Sequence, residues 1–123
     1  MHRKWTIAII EDDAQVREGL DNLLRAAGYA TALYPSAEAF LEEVRSTEAS
    51  VVVSDIHMRE LSGLDLKMHL DERDIRLPII LITALFDHET FALATKAGAV
   101  ACLGKPFNDE ELLEAIKAAI PPL

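Results

Sequence analysis

Val51-Val52-Val53-Ser54-Asp55 is the stretch from which the fold can be read. Three β-branched apolar residues in succession, without polar alternation, describe a strand covered on both faces, the pattern of a parallel sheet. The run gives way after Asp55 to His57-Met58-Arg59-Glu60 and then Ser62-Gly63, so the chain turns there. A buried strand thus delivers a carboxylate to the rim of a sheet. In open α/β sheets, ligands sit outside the carboxyl ends of the strands, and Asp55 becomes the first candidate for chemistry. Taken alone, an Asp closing a strand is an ordinary loop-former or helix cap. Its weight depends on what the other strands bring.

Outward from this strand the chain alternates two periods. Trp5 to Ile10, Tyr29 to Leu33, Val51 to Ser54, Ile79 to Thr83 and Val100 to Leu103 read as five short strands. Between them, apolar residues recur at helical spacing. Val16, Leu20, Leu23, Leu24 and Ala27 form the first stripe, with Asp13 as cap and Gly28 as stop. Ser36 caps a second helix carrying Ala37, Phe40, Leu41 and Val44. A third, poorly patterned, runs from Leu64 to about Glu72, and a fourth from about His88 to Ala97 before Gly98. Asn108 with Glu111 makes a capping-box-like start to a fifth, whose stripe is Leu112, Leu113, Ile116 and Ile120, ended by Pro121-Pro122. Five strands each followed by a helix predict a parallel sheet covered on both faces.

The 123 residues amount to one domain, 1–123, and half of them are hydrophobic, which supports a packed core. The formal net charge of −9 argues against a nucleic-acid surface, since phosphate binding needs clustered Lys and Arg. Cys102 is the single cysteine, so no disulfide framework exists, and it reads as a small core residue. No apolar run approaches the roughly 18 residues of a membrane span and no signal-peptide pattern opens the chain, so a cytoplasmic protein is expected. The closing Pro-Pro-Leu fits either a natural end or the start of a linker to a further domain.

The strand ends carry the chemistry. The first strand ends in Glu11-Asp12, the third in Asp55, the fourth in Thr83-Ala84 and the fifth in Gly104-Lys105-Pro106-Phe107. If all five strands are parallel, three carboxylates, a hydroxyl and an ammonium converge on one edge. Packed carboxylates raise one another's pKa, so such a site calls for a cation. Hard oxygen donors suit Mg²⁺, completed by water and phosphate oxygens. One carboxylate could then act as nucleophile on a phosphoryl group, with the metal and lysine stabilising the transferring oxygens. Each residue also has an ordinary reading. Acidic residues favour helix starts, Lys-Pro is a plain turn, and His2, His69 and His88 lack metal-ligand spacing. His57 reads as a solvent-facing side chain.

Glu11-Asp12, Asp55, Thr83-Ala84 and Lys105-Pro106-Phe107, in this order on five strands, resemble the receiver domain of two-component response regulators. The resemblance spans essentially the whole chain. Tyr34-Pro35-Ser36-Ala37-Glu38-Ala39-Phe40-Leu41 and the closing Lys-Pro-Phe look most like the FixJ-type regulators. The resemblance implies a flavodoxin-like fold with strand order 2-1-3-4-5. Asp55 matches the phosphoacceptor, Asp12 the direct Mg²⁺ ligand and Glu11 an acidic partner acting through metal-bound water. His57 stands where the family uses a backbone carbonyl as ligand. Thr83 matches the switch hydroxyl and Lys105 the lysine that pairs with the phosphoryl group. A sensor histidine kinase would be the donor, and the face of helix four, strand five and helix five would change shape to control dimerisation or output. FixJ-type relatives usually carry a DNA-binding output domain after the receiver.

Two departures stand out. Arg59 follows Met58 where many receivers have proline, and Cys102 occupies the position of the switch aromatic, so that position offers no ring for coupling by aromatic rotation. A phosphorylation-independent interaction module on the same fold therefore remains an alternative. A Mg²⁺-dependent phosphatase of haloacid-dehalogenase type is a further one, although that chemistry expects a second Asp where His57 stands.

Overall fold

A computed structural model describes residues 5–120; the readings on His2 and on Pro121-Pro122 fall outside the described residues. The elements alternate as the sequence predicts: β1 (Thr6–Ile10), α1 (Ala14–Ala26), β2 (Ala30–Tyr34), α2 (Ala37–Glu43), β3 (Val51–Asp55), α3 (Gly63–Glu72), β4 (Ile79–Thr83), α4 (His88–Ala97), β5 (Ala101–Gly104) and α5 (Asp109–Ala119). A short 3₁₀ turn, Val44–Ser46, extends α2. All strand pairs are parallel and the order is β2-β1-β3-β4-β5. This is the doubly wound flavodoxin-like topology.

Strand parity divides the core in two. Ala8, Ile10, Val52, Ile79 and Leu81 face one layer, with Phe40 and Leu41 of α2, Leu66 and Leu70 of α3 and Ala94 of α4. Ile7, Ile9, Val51, Val53, Ile80 and Ile82 face the other, with Leu20 and Leu24 of α1 and Leu112 and Ile116 of α5. Every residue of β3 and β4 is buried, which is why those strands show no alternation in sequence.

Helix starts follow local chemistry. The Asp13 carboxylate accepts from the Gln15 and Val16 N–H groups, Ser36 Oγ from Ala39, and Asn108 closes a capping box with Glu111. Gly28 and Gly98, with φ of 100° and 94°, take the left-handed conformation that ends α1 and α4 without a Cβ penalty. Four strands differ by one residue from their sequence-based limits: β1 starts at Thr6 rather than Trp5, β3 ends at Asp55 rather than Ser54, and two others shift at both ends. β2 runs Ala30–Tyr34 rather than Tyr29–Leu33, and β5 Ala101–Gly104 rather than Val100–Leu103, because pairing to β1 and β4 sets their ends. The weakly patterned third helix is secured by a Ser62–Asp65 capping box.

Gly63 begins α3 tight against the sheet. A Cβ built there would stand 2.6 Å from the Asp55 carbonyl oxygen and 2.8 Å from a Leu81 methyl. Gly63→Ala is expected to destabilise the fold by about 1–3 kcal/mol through this overpacking, read from denaturant unfolding. A neutral result would show that α3 can move off the strand.

Candidate functional site at the carboxyl edge of the sheet

Register brings the first two acidic groups together. Ile10 pairs with Ser54, so Glu11 and Asp55 follow side by side on adjacent strands. Both are buried, Glu11 at 1% and Asp55 at 6% exposure. Two carboxylates in this position repel each other and lose hydration. Lys105, reaching over from the end of β5, resolves the conflict. Its Nζ donates to Glu11 Oε1 and Asp55 Oδ2, each at 3.0 Å.

The remaining carboxylate oxygens also have partners. Asp55 Oδ1 accepts from the His57 N–H at 3.1 Å, and Glu11 Oε2 from the Asp13 N–H at 3.2 Å. Arg17, which sequence reading did not single out, donates from Nη1 to the Glu11 carbonyl at 2.7 Å and ties α1 to the rim. Its position one turn into α1 was the only available sign. Gly63, packed under the Asp55 carbonyl, was likewise missed, because close approach leaves no trace in periodicity.

Burial is the main cause that lifts the Glu11 pKa, to about 7; the Lys105 hydrogen bond works against this and the Asp55 charge adds to it. Burial works to lower the Lys105 pKa, but the hydrogen bonds and charges of Asp55 and Glu11 together outweigh it and hold the ammonium above its ordinary range. One ammonium thus faces two carboxylates.

The other expected residues occupy the same rim without joining this contact. Asp12 is exposed and, with Pro35, Ser36, Glu38, Met58, Arg59 and Glu60, lines a hollow of about 330 Å³. The His57 side chain is exposed, in keeping with a solvent-facing residue. Thr83 is fully buried at the end of β4. Its hydroxyl is engaged by its own loop: Oγ1 accepts from the Leu85 N–H at 3.0 Å and donates to the Leu85 carbonyl at 3.2 Å. The Lys105 N–H donates to the Thr83 carbonyl at 2.7 Å, which links the two rim segments through main chain. The Lys105-Pro106 peptide is cis.

The donor set fits a small hard cation. Asp12, Asp55 and the main chain of His57 offer oxygens, and Glu11 and Asp55 are buried side by side with one ammonium between them. Among the described residues no three acidic, His or Cys side chains form a closed ligand cage. A cation here would lean on main-chain carbonyl and water, as Mg²⁺ does.

A doubly wound α/β domain with an acidic rim bridged by one lysine is the class that fold and site define. Residues 7–117 match the response regulator receiver domain family. The chain is 40% identical over 118 residues to the response regulator protein TodT of Pseudomonas putida, an overlap of 96% of this chain and 52% of that one. It is 37% identical over 115 residues to the transcriptional regulatory protein FixJ of Rhizobium meliloti, covering 94% of this chain and 56% of FixJ. The crystal structure of FixJ-N superposes with a TM-score of 0.91 at 35% identity, covering 99% of this chain and 100% of that one. The chain belongs to the response regulator receiver domain family. It spans about half the length of these curated relatives. Among the described residues no helix is long and apolar enough to cross a membrane.

The pH dependence follows from Glu11. Its folded pKa of about 7 lies above the ordinary 4.5, so the folded state binds the extra proton. The stability associated with that proton is complete below pH 4.5 and is lost as pH rises through 7. Lys105, raised from 10.5, contributes the same sense of change only in alkali. Without added Mg²⁺, denaturant stability is expected to fall by roughly 3 kcal/mol at most between pH 5 and 8, and Glu11→Gln should flatten that slope. An unchanged slope in the variant would remove Glu11 as its cause.

Proposed function

We propose that this domain accepts a phosphoryl group on Asp55 from the phosphohistidine of a sensor histidine kinase, with Mg²⁺, and that the transfer resets the surface of α4, β5 and α5. The observation that carries the reading is Lys105 Nζ bridging Asp55 and Glu11 at 3.0 Å each, in a chain of this family.

In the proposed step an Asp55 carboxylate oxygen attacks phosphorus in line. The new O–P bond forms as the donor's P–N bond breaks and the imidazole leaves with the electron pair. Mg²⁺, when bound by Asp12, Asp55 and the His57 carbonyl, with Glu11 acting through water, supplies charge neutralisation to the phosphoryl oxygens. The Lys105 ammonium exchanges its Asp55 contact for a phosphoryl oxygen. The Thr83 hydroxyl turns from Leu85 to donate to another. Nearly two negative charges are added at the rim, and the β4–α4 segment moves with Thr83.

The surface that would read this change is apolar. Leu85, Phe86, Phe91, Leu93 and Val100 are all about half exposed, which supports pairing of two copies through this region. Because FixJ is a transcriptional regulatory protein, control of transcription in the cytoplasm is the output proposed here. The acidic charge of this domain argues against a DNA contact by the domain itself.

Incubation with acetyl phosphate and Mg²⁺ is expected to add one phosphoryl group by intact mass, and Asp55→Asn or omission of Mg²⁺ should abolish the gain. Lys105→Met should slow it by about 10²-fold, the usual loss for one preorganised donor to developing charge. No gain in the folded wild type with Mg²⁺ would favour a phosphorylation-independent module. Continuous phosphate release over many turnovers would favour a phosphatase.

A further inference from the structure

We propose that Phe86, seated over Gly104, is the positioning residue that couples the phosphoacceptor edge to α4 in this chain. The proposal rests on the receiver reading above and names how that site is regulated. It begins from a vacancy in the usual place: the β5 position at which receivers carry a switch aromatic is Cys102, small and only 8% exposed. No ring stands there to move.

A ring is present nearby, on a different element. Phe86 lies three residues beyond Thr83, in the segment leading to α4. A Cβ placed on Gly104 would fall 2.5 Å from the Phe86 Cβ and 2.7 Å from its Cγ, closer than real side chains approach. Gly104 does not take a left-handed φ, so backbone freedom is not what the position demands. The space itself is. Any side chain at this position would displace Phe86.

The contact sits between the reacting edge and α4. Gly104 is in register with Thr83 and directly precedes Lys105, the residue that bridges Glu11 and Asp55. On the other side, Phe86 meets Phe91 of α4 edge-to-face, with ring centroids 5.7 Å apart. Both rings are about half exposed, and Ala94 is the single buried residue of α4. The helix is therefore held lightly, and a shift of the ring is not opposed by a filled core.

The coupling runs through Leu85. While the Thr83 hydroxyl both accepts from and donates to Leu85, the segment is closed and Phe86 rests on Gly104. When that hydroxyl turns to a phosphoryl oxygen on Asp55, both Leu85 bonds are released. The segment then shifts toward the site, Phe86 slides along the bare Gly104 backbone, and its edge contact carries Phe91 and the start of α4.

The test compares wild type, Phe86→Ala, Phe86→Tyr, Gly104→Ala and the Phe86→Ala/Gly104→Ala double variant. Each is treated with acetyl phosphate and Mg²⁺, with the uptake rate followed by intact mass and amide chemical shifts recorded across residues 88–97. Phe86→Ala is expected to take up the phosphoryl group yet lose most of the α4 shift changes, and Phe86→Tyr, which keeps the ring, to retain them. Gly104→Ala should alter the uptake rate by roughly 2- to 30-fold, the span of residue-level coupling, and this effect should vanish in the double variant.

A full α4 response in phosphorylated Phe86→Ala overturns the coupling, as does an equal effect of Gly104→Ala in both backgrounds. Should Gly104→Ala fail to fold, the Phe86 pair decides alone. No phosphoryl gain in wild type would overturn the phosphoacceptor reading and the coupling with it. Gain without the α4 dependence overturns the coupling only.

Discussion

Two buried carboxylates held by one ammonium are the constraint on which this domain depends. Glu11 and Asp55 are forced together by the pairing of β1 with β3, and neither keeps the hydration that a charged group requires. Lys105, 94 residues from the first and 50 from the second, is the counter-charge that makes their burial tolerable. Burial is the main cause of the raised Glu11 pKa, and the neighbouring Asp55 charge adds to it. Under the proposed function, a hard cation would supply positive charge to this rim and a phosphoryl group would then be received there.

The sheet acts as a ruler for this arrangement. β3 and β4, buried along their whole length, cannot slide without exposing apolar residues on one face and burying gaps on the other. The carboxyl ends are therefore positioned by packing far from the chemistry, through Phe40, Leu66 and Leu70 on one side and Leu24, Leu112 and Ile116 on the other. The exception is α4, which contributes one small buried residue and leaves two large apolar ones exposed. Local stability follows the number of buried apolar contacts, so α4 is where a change at the rim can be expressed at low cost.

Chain-local features were readable and long-range ones were not. Asp13, Ser36 and Asn108 were recognisable caps because a cap satisfies N–H groups only two or three residues away. The Ser62–Asp65 box was overlooked because its third helical residue is Asp rather than Glu or Gln. The ends of β2 and β5 were misjudged by one residue because a strand stops where its neighbour stops. Tyr34 joins β2 through pairing with Ile10, and its ring packs edge-to-face on Phe40 at 5.1 Å.

By itself the sequence determined the alternation of five strands and five helices, the doubly wound class, and the strand-end residues Glu11, Asp12, Asp55, Thr83 and Lys105 as the set to watch. All of these rest on short-range periodicity and on where apolar runs stop. Tertiary structure alone decided that Lys105 bridges Glu11 and Asp55 and leaves Asp12 exposed. It also decided that the Thr83 hydroxyl closes on Leu85, and that Phe86 occupies the space Gly104 leaves open. These depend on distances between segments remote in the chain, set by strand register and by the volume of facing side chains, neither of which a linear pattern encodes.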